Sequence, residues 1–211
     1  MTMSYVYDTR EITHGDAYAA FAQVAESTTT PGTLDTTKVP QSFTGLRAVS
    51  FETTQEQNKY YADNILHFTI NGVKTIEGTI TCYQFPKAFT TGYLGFKEST
   101  NGSLIDTGTF APFIFQYIET VETATGGNQR LLTIYYNLKA TAPTASTATD
   151  EDTVTPKEFT INCTAAPQSL VMDQDNQPVT MMQVRGSDAD SNALIDLAYS
   201  QIILPSTIIT P

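Results

Sequence analysis

Runs of alternating apolar and polar residues predict a chain built mainly from β-strands. The clearest pattern lies in residues 60–96, where two β-branched and aromatic runs, 65–70 and 73–85, flank Asn71-Gly72. Because Asn-Gly favours a type I′ turn, which joins paired strands, the sequence predicts a hairpin that turns at these two residues. Gly78, inside the second run, indicates either a bulge or a close backbone approach.

A short helix is predicted directly after this hairpin. Pro86 is tolerated in the first turn of a helix, and Phe85, Phe89 and Tyr93 recur at helical spacing. Gly95 can end such a helix in a left-handed conformation. A hairpin followed by a covering helix is expected to form the nucleus of a β-rich domain.

The same pattern predicts further strands and two segments that are harder to interpret. Strands are predicted at residues 110–121, 130–140, 157–165, 169–173 and 178–185, of which the first two and the last two form hairpins. Ser187 is expected to cap a second helix. Residues 16–26 are compatible with a helix or an irregular strand, whereas 27–44 predict a long functional loop or arm.

The predicted fold class is mainly β, with one or two short helices and a single β-sandwich domain over residues 45–204. Residues 1–44 are assigned to an N-terminal arm and loop, and 205–211 to a C-terminal arm. The isoleucines between 202 and 209 cannot all stay in water at little cost, because each buried aliphatic side chain contributes roughly 1.5–3 kcal/mol. Whether 165–211 belongs to the core, and whether the tail docks on its own chain or on a neighbour, stays open.

The net charge of the chain narrows the classes of molecule that it could bind. The chain of 211 residues has 22 acidic and 11 basic residues, a formal net charge of −11. This balance argues against a basic phosphate-binding patch and predicts repulsion of duplex DNA, although solubility alone would explain it equally well. The start, MTMSYVYDTR, lacks the pattern of a secretory signal, and no apolar run is long enough to span a membrane. We therefore expect synthesis in a cytosol.

No residue pattern predicts a catalytic residue, a metal site or a cofactor. His14 and His67 lack metal-ligand spacing, and no phosphate-binding glycine loop occurs. Cys82 and Cys163 lie in strand-like runs and are expected to be small buried hydrophobic residues. The acidic residues in 173–175 alternate as calcium ligands do, but the sharp-turn glycine and closing glutamate of such a loop are missing, and a hairpin turn is the preferred interpretation.

An ordered set of short motifs resembles the major tail proteins of long-tailed, siphovirus-type phages. The motifs lie within residues 45–165: Gly45-Leu46-Arg47-Ala48-Val49-Ser50, Tyr61-Ala62-Asp63-Asn64, Gly78-Thr79-Ile80, Phe85-Pro86 leading to Leu94-Gly95, Asn101-Gly102-Ser103-Leu104, Phe110-Ala111-Pro112-Phe113, Arg130 before Tyr135-Tyr136-Asn137, and Thr155-Pro156-Lys157-Glu158-Phe159-Thr160-Ile161-Asn162. Their shared order carries the resemblance, which covers most of the chain.

The resemblance implies a structural role. It implies a tail-tube-type β-sandwich or partial barrel with a flanking helix, which forms homohexameric rings that stack into a hollow tube. One sheet from each subunit would help to close a barrel around the channel, and an acidic lumen would let phage DNA pass without specific binding. Tape-measure and tail-terminator proteins are the implied partners, with assembly in the host cytoplasm and the virion tail as the final location.

By analogy with tail tubes in general, contacts between subunits are expected at polar tips and at arms. Ring stacking is assigned to a predicted tip between strands and to the 141–155 loop, at Gln55, Glu56, Gln57, Asn58, Lys59, Asp150, Glu151 and Asp152. Arm contacts are assigned to Leu34, Val39, Ile208 and Ile209.

A receptor-binding or carbohydrate-binding β-sandwich module on a virion or cell surface is the alternative function. The absence of tryptophan argues against sugar stacking, and Tyr135 and Tyr136, as neighbours in a strand, would face opposite ways. An enzyme is the third class, but its nearest route, a pair of carboxylates, is not brought together by any feature of the sequence.

Overall fold

The computed structural model describes residues 11–124, 126–146 and 156–206. Within these ranges the chain is mainly β with two short helices, which confirms the predicted fold class. In chain order the elements are β1 (Glu11–Gln23), β2 (Gln41–Ser42), β3 (Leu46–Thr54), β4 (Gln57–Ala62), β5 (Ile65–Asn71), β6 (Thr75–Cys82), α1 (Lys87–Tyr93), β7 (Phe96–Glu98), β8 (Leu104–Asp106), β9 (Phe113–Thr123), β10 (Asn128–Ala140), β11 (Thr144–Ser146), β12 (Glu158–Ala165), β13 (Met181–Arg185) and α2 (Ala189–Leu197).

Nine of the described strands form one antiparallel sheet, and two strand pairs lie outside it. The main sheet has the order β2-β1-β9-β10-β12-β6-β3, with β13 also paired to β10 and β11 to β12. The outlying pairs are β4–β5 and β7–β8. β3 comes back into contact with β1, so the open sheet curls toward a partial barrel.

The long strand β10 divides the main sheet into two parts. Its residues 131–135 pair with β13, whereas residues 138–140 pair with β12. Between these segments the ladder with β9 is irregular, and Asn137 has a positive φ of 57°. One half of β10 therefore supports β12, β6 and β3, and the other half supports β13.

Both faces of β9 and β10 are buried. Alternation along β9 sends Phe113, Phe115 and Tyr117 to one face and Ile114 and Ile118 to the other, and all five side chains are buried. The two sets belong to two separate apolar clusters. Such a continuous apolar run is typical of a strand that is covered on both sides. The predicted hairpin of residues 110–121 and 130–140 is confirmed as β9 and β10.

Phe89 of α1 lies at the centre of the first cluster. Its ring makes edge-to-face contacts with Phe21, Phe43 and Phe113 at centroid distances of 5.1, 5.1 and 5.0 Å. The helix follows Pro86 as the sequence predicts, and Gly95 beyond its end has a φ of +73°. Spacing of the aromatic residues along one helical face is what directs them into the sheet.

The second cluster is covered by α2 and the segment that follows it. Ile195, Ala198, Ile202 and Ile203 are all buried there. The hydroxyl of Tyr136 donates a hydrogen bond to the backbone carbonyl of Ile203 over 2.7 Å. The described part of the chain after residue 165 therefore packs into the core of its own subunit, whereas the last residues of the tail, 207–211, lie outside the described residues.

Helix α2 begins one residue later than predicted. Asp188, not Ser187, is the N-cap: its carboxylate accepts a hydrogen bond from the backbone N–H of Ser191 at 2.8 Å, and the Ser191 hydroxyl accepts one from the Asp188 N–H. The hydrogen bonds that the carboxylate accepts, led by the one from the Ser191 backbone, hold the pKa of the Asp188 carboxyl below its usual value. A carboxylate suits a helix N-terminus because it also faces the positive end of the helix dipole.

The predicted hairpin at Asn71-Gly72 is wrong. β5 pairs with β4 instead of β6, through a turn at Asp63 and Asn64, where φ is 51° and 62°. Asp and Asn tolerate this left-handed conformation better than other residues with a side chain. β6 joins β3 and β12 in the main sheet, where it buries its apolar side, so burial outweighs the local turn preference. Residues 55–59 consequently lie at the base of the β4–β5 hairpin and along β4, not at a tip.

The N-terminal region is held by its own chain over the residues that the structure describes. The ambiguous segment 16–26 is largely strand, because β1 pairs with β9, with two register irregularities near Gly15 and Tyr18. In the following segment the N–H of Leu34 donates to the carbonyl of Leu170 at 3.1 Å. The N–H of Ile202 donates to Thr36 at 3.3 Å, which ties this loop to the C-terminal segment.

Gly78 marks a close backbone approach, one of the two alternatives that its place in a strand indicated. A Cβ atom built on this residue would lie 2.0 Å from the carbonyl oxygen of Ser50 and 2.5 Å from Cδ1 of Phe51. The Phe51 ring in turn packs on Tyr135 with a centroid distance of 4.3 Å. Any side chain at position 78 would force β3 away from β6.

We expect Gly78→Ala to lower the free energy of unfolding by about 2 kcal/mol or more, because the added methyl group overpacks a site bounded by backbone. Urea unfolding of the purified chain measures this. The matched control is Gly92→Ala in α1, where an added Cβ meets nothing within 4 Å, and helix propensity predicts a gain of about 0.5–1 kcal/mol. Equal stability of the two variants would contradict the close approach at Gly78.

Candidate functional surfaces

The β4–β5 hairpin carries most of its large apolar side chains on one face, and the other face is polar apart from Ile65. Tyr60 and Phe68 are direct cross-strand partners, and Ile70 lies two residues further along the same side of β5. Their exposed fractions are 52%, 59% and 46%. Lys59 and Thr69 are paired on the opposite side. We call Tyr60, Phe68 and Ile70 the apolar hairpin face.

The outer side of β3, β6 and β12 carries short polar and acidic side chains, apart from Ala48 and an ion pair between Arg47 and Glu158 at one end. Because strands alternate, it is the reverse of the side that buries Ile80 and Ile161. The cross-strand register arranges the residues in rows across the three strands. We call this set the polar sheet face: Ser50, Glu52, Glu77, Thr79, Thr81, Thr160, Asn162 and Thr164.

Two glutamates stand opposite each other on the polar sheet face. Glu52 on β3 is the direct partner of Glu77 on β6, and both side chains are exposed. The row continues to Thr164 and then to Lys139 at its margin. Like charges directly opposite one another weaken a sheet, so this pair works against folding. The pair therefore concentrates negative charge on this surface.

The residues that the sequence assigned to subunit contacts lie in different surroundings in the structure. Gln55 and Glu56 bind back to Gly72 at the base of the hairpin, while residues 57–59 belong to β4. Leu34 is only 2% exposed and packs in the second cluster, so it has no surface to offer a neighbour, whereas Val39 is 61% exposed. The remaining assigned residues, Asp150, Glu151, Asp152, Ile208 and Ile209, lie outside the described residues.

Sequence reasoning missed both the apolar hairpin face and the polar sheet face as surfaces. The first depended on the turn at Asp63-Asn64, a dipeptide that can adopt the left-handed conformation but gives a weaker signal than Asn71-Gly72. The second was visible as alternation around Ile80, but only cross-strand register brings Glu52 and Glu77 together.

The cysteines and the acidic residues at 173–175, which were considered for chemistry, have structural roles in the fold. Cys82 and Cys163 are buried free thiols, and burial raises the pKa of each to about 12. The Asp173 carboxylate accepts hydrogen bonds from the backbone N–H groups of Asp175 and Gln177, as expected for a turn. Among the described residues no group of three or more His, Cys, Asp and Glu side chains could hold a metal ion.

Two prominent surfaces that the described part of the chain leaves uncovered indicate a subunit of a larger structural assembly. The comparison with known families gives this class a definite form: the model for "Phage tail tube protein" matches residues 2–211. The chain therefore belongs to the phage tail tube protein family. A search of curated proteins gave no match.

Family membership confirms the resemblance to phage major tail proteins and establishes a structural role. The protein is a component of the virion tail, it self-assembles into a tube, and it is not an enzyme. Among the described helices, neither has the length and apolar character needed to cross a membrane.

We expect both native thiols to resist modification while the subunit is folded, because a thiol reacts as its thiolate and burial disfavours that form. The measurement is reaction with a chromogenic disulfide reagent at about pH 8, with and without guanidinium. The exposed variant Gln174→Cys is the control and should react at once with one equivalent. Reaction of a native thiol at the rate of this added cysteine would contradict the burial of Cys82 and Cys163.

Proposed function

We propose that the chain forms hexameric rings that stack into the tail tube of a long-tailed phage, and that the polar sheet face lines the channel through which DNA passes. The observation that carries this proposal is the polar and acidic outer side of β3, β6 and β12, on which the described residues pack no apolar segment. Tape-measure and tail-terminator proteins are the partners that such a tail requires.

Charge supports this choice of surface. DNA binds proteins mainly through phosphate contacts from Lys and Arg, which release counterions and hold the backbone. None of the eight residues of the polar sheet face is basic; the Arg47 guanidinium at one end of the same side is paired with Glu158 at 2.6 Å, and Lys139 stands at the margin. The Glu52–Glu77 pair adds repulsion, and the hydroxyl and amide groups around it stay hydrated. A wall of this chemistry excludes tight binding of a passing duplex.

The sheet itself supports closure by neighbouring copies. β3 pairs with β6 on one side, and within the described ranges no strand forms a ladder with its other side. An unpaired edge is a template for association, and closing the sheets of several subunits into one barrel removes it. Residues 55–59, beside the hairpin base, remain candidates for contacts between rings.

The ring order is tested by electron microscopy of isolated tails. We expect end-on class averages with six-fold symmetry and a subunit repeat that accounts for the whole tube wall. Any other rotational order would overturn the hexameric ring, whether or not the polar sheet face lines the channel.

The channel assignment is tested by reversing charge. We expect the double variant Glu52→Lys, Glu77→Lys to build tails of normal number and length but to slow DNA ejection, with the delay lessened by added salt, because lysines on the wall would hold phosphates. Ejection triggered in vitro is followed with a DNA-binding dye. Asp175→Lys, at an exposed turn away from this sheet face, is the control. Ejection at the same rate in the double variant and wild type would refute the assignment.

A further inference from the structure

We infer that the apolar hairpin face, Tyr60, Phe68 and Ile70, docks on a second copy of this chain. The inference rests on self-assembly of the family into a tube and on neither the ring order nor the channel assignment. It adds an apolar contact, further along the same hairpin, to the polar contact proposed at residues 55–59.

The hairpin is incomplete as a folded unit. Among the strands that the structure describes, β4 and β5 pair only with each other, and every residue of both is exposed. A two-stranded hairpin is marginally stable in water unless its apolar side packs against something. Three large apolar side chains, Tyr60, Phe68 and Ile70, share one side, whereas the Lys59–Thr69 side carries one, Ile65, so the exposed apolar residues are concentrated on one side.

The apolar hairpin face is large enough to anchor a contact but not to form a whole interface. If a fully exposed aromatic side chain presents roughly 200 Å², the three residues at their exposed fractions present roughly 300 Å². A stable protein interface buries about 800 Å² on each partner. The hairpin therefore supplies the central aromatic anchors, and surrounding polar residues complete the contact.

Charge identifies a second copy as the occupant. Between residues 57 and 74 the basic residues are Lys59 and Lys74 and the only carboxylate is Asp63, whereas the whole chain has a net charge of −11. The hairpin itself, residues 57–71, holds one lysine and one aspartate, so it can approach the acidic surface of another identical subunit without the charge repulsion that the rest of the chain would meet. In a tube made of one protein, each subunit also presents this projection to neighbours that recur at fixed positions.

The experiment places the photo-cross-linking residue benzoylphenylalanine at position 68 in the gene of the phage, so that the chain assembles with its natural initiators. We expect irradiated tails to give an adduct of twice the subunit mass. The same residue at position 69, on the polar side of the strand, is the control and should give at least about tenfold less. An adduct only with a different protein, or equal yields at the two positions, would overturn the inference.

A pair of charge variants tests the energetic role of the same face. Phe68→Asp should reduce the number of assembled tubes at least about tenfold relative to Thr69→Asp, which adds the same charge one residue away. Purified subunits of both variants should melt within about 3 °C of wild type, because the hairpin lies outside both clusters. Tube numbers that are equal for the two variants would also overturn the inference.

Discussion

The ladder between β9 and β10 is the contact on which the rest of the subunit depends. Both of its faces lie within apolar clusters, and β1, β12 and β13 all attach to it. Each large apolar side chain buried along it contributes roughly 1.5–3 kcal/mol. Helix α1 covers one face and α2 the other, so neither helix is an appendage. The two clusters share the same pair of strands. Loss of one cluster would therefore expose the backbone that supports the other cluster.

The division of β10 explains how one ladder can serve two parts of the fold. The irregularity at Asn137 lets the same strand pair with β13 at one end and with β12 at the other. The half that includes β12, β6 and β3 gives the subunit a sheet with one buried side and one hydrated side. The Arg130 guanidinium, at the other end of β10, binds Asn192 and Asp196 of α2 and fixes the helix over the second cluster.

Much of this arrangement could be predicted from the sequence, because it follows from local pattern. The aromatic spacing of α1, the β9–β10 hairpin, the strand at 157–165 and the inert cysteines are all found where the residues indicated. The hairpin at Asn71-Gly72 failed because turn preference is worth less than burial of the apolar side of β6. The helical alternative for residues 16–26 reflected alanine content, which carries little weight when Ala19, Ala20 and Ala22 pack against a neighbouring strand.

The functional surfaces were harder to predict for a different reason. A surface is formed by residues from several strands, and its composition depends on register, which a shift of one residue would reverse. The opposition of Glu52 and Glu77 exists only because β3 and β6 pair as they do. Leu34 illustrates the reverse case: an apolar residue in a proline-containing loop suggested an arm, but tertiary packing buries it within its own subunit.

The way in which the β4–β5 hairpin joins the subunit has a mechanical consequence. Only two backbone crossings connect it to the main sheet, and they are linked by hydrogen bonds from Gly72 to Glu56 and from Gln55 to Gly72. A small rotation about these crossings moves the hairpin without disturbing either cluster or the polar sheet face. A tube joined through such hairpins would curve by small pivots between its subunits, and the bore would keep its width as the tail flexes.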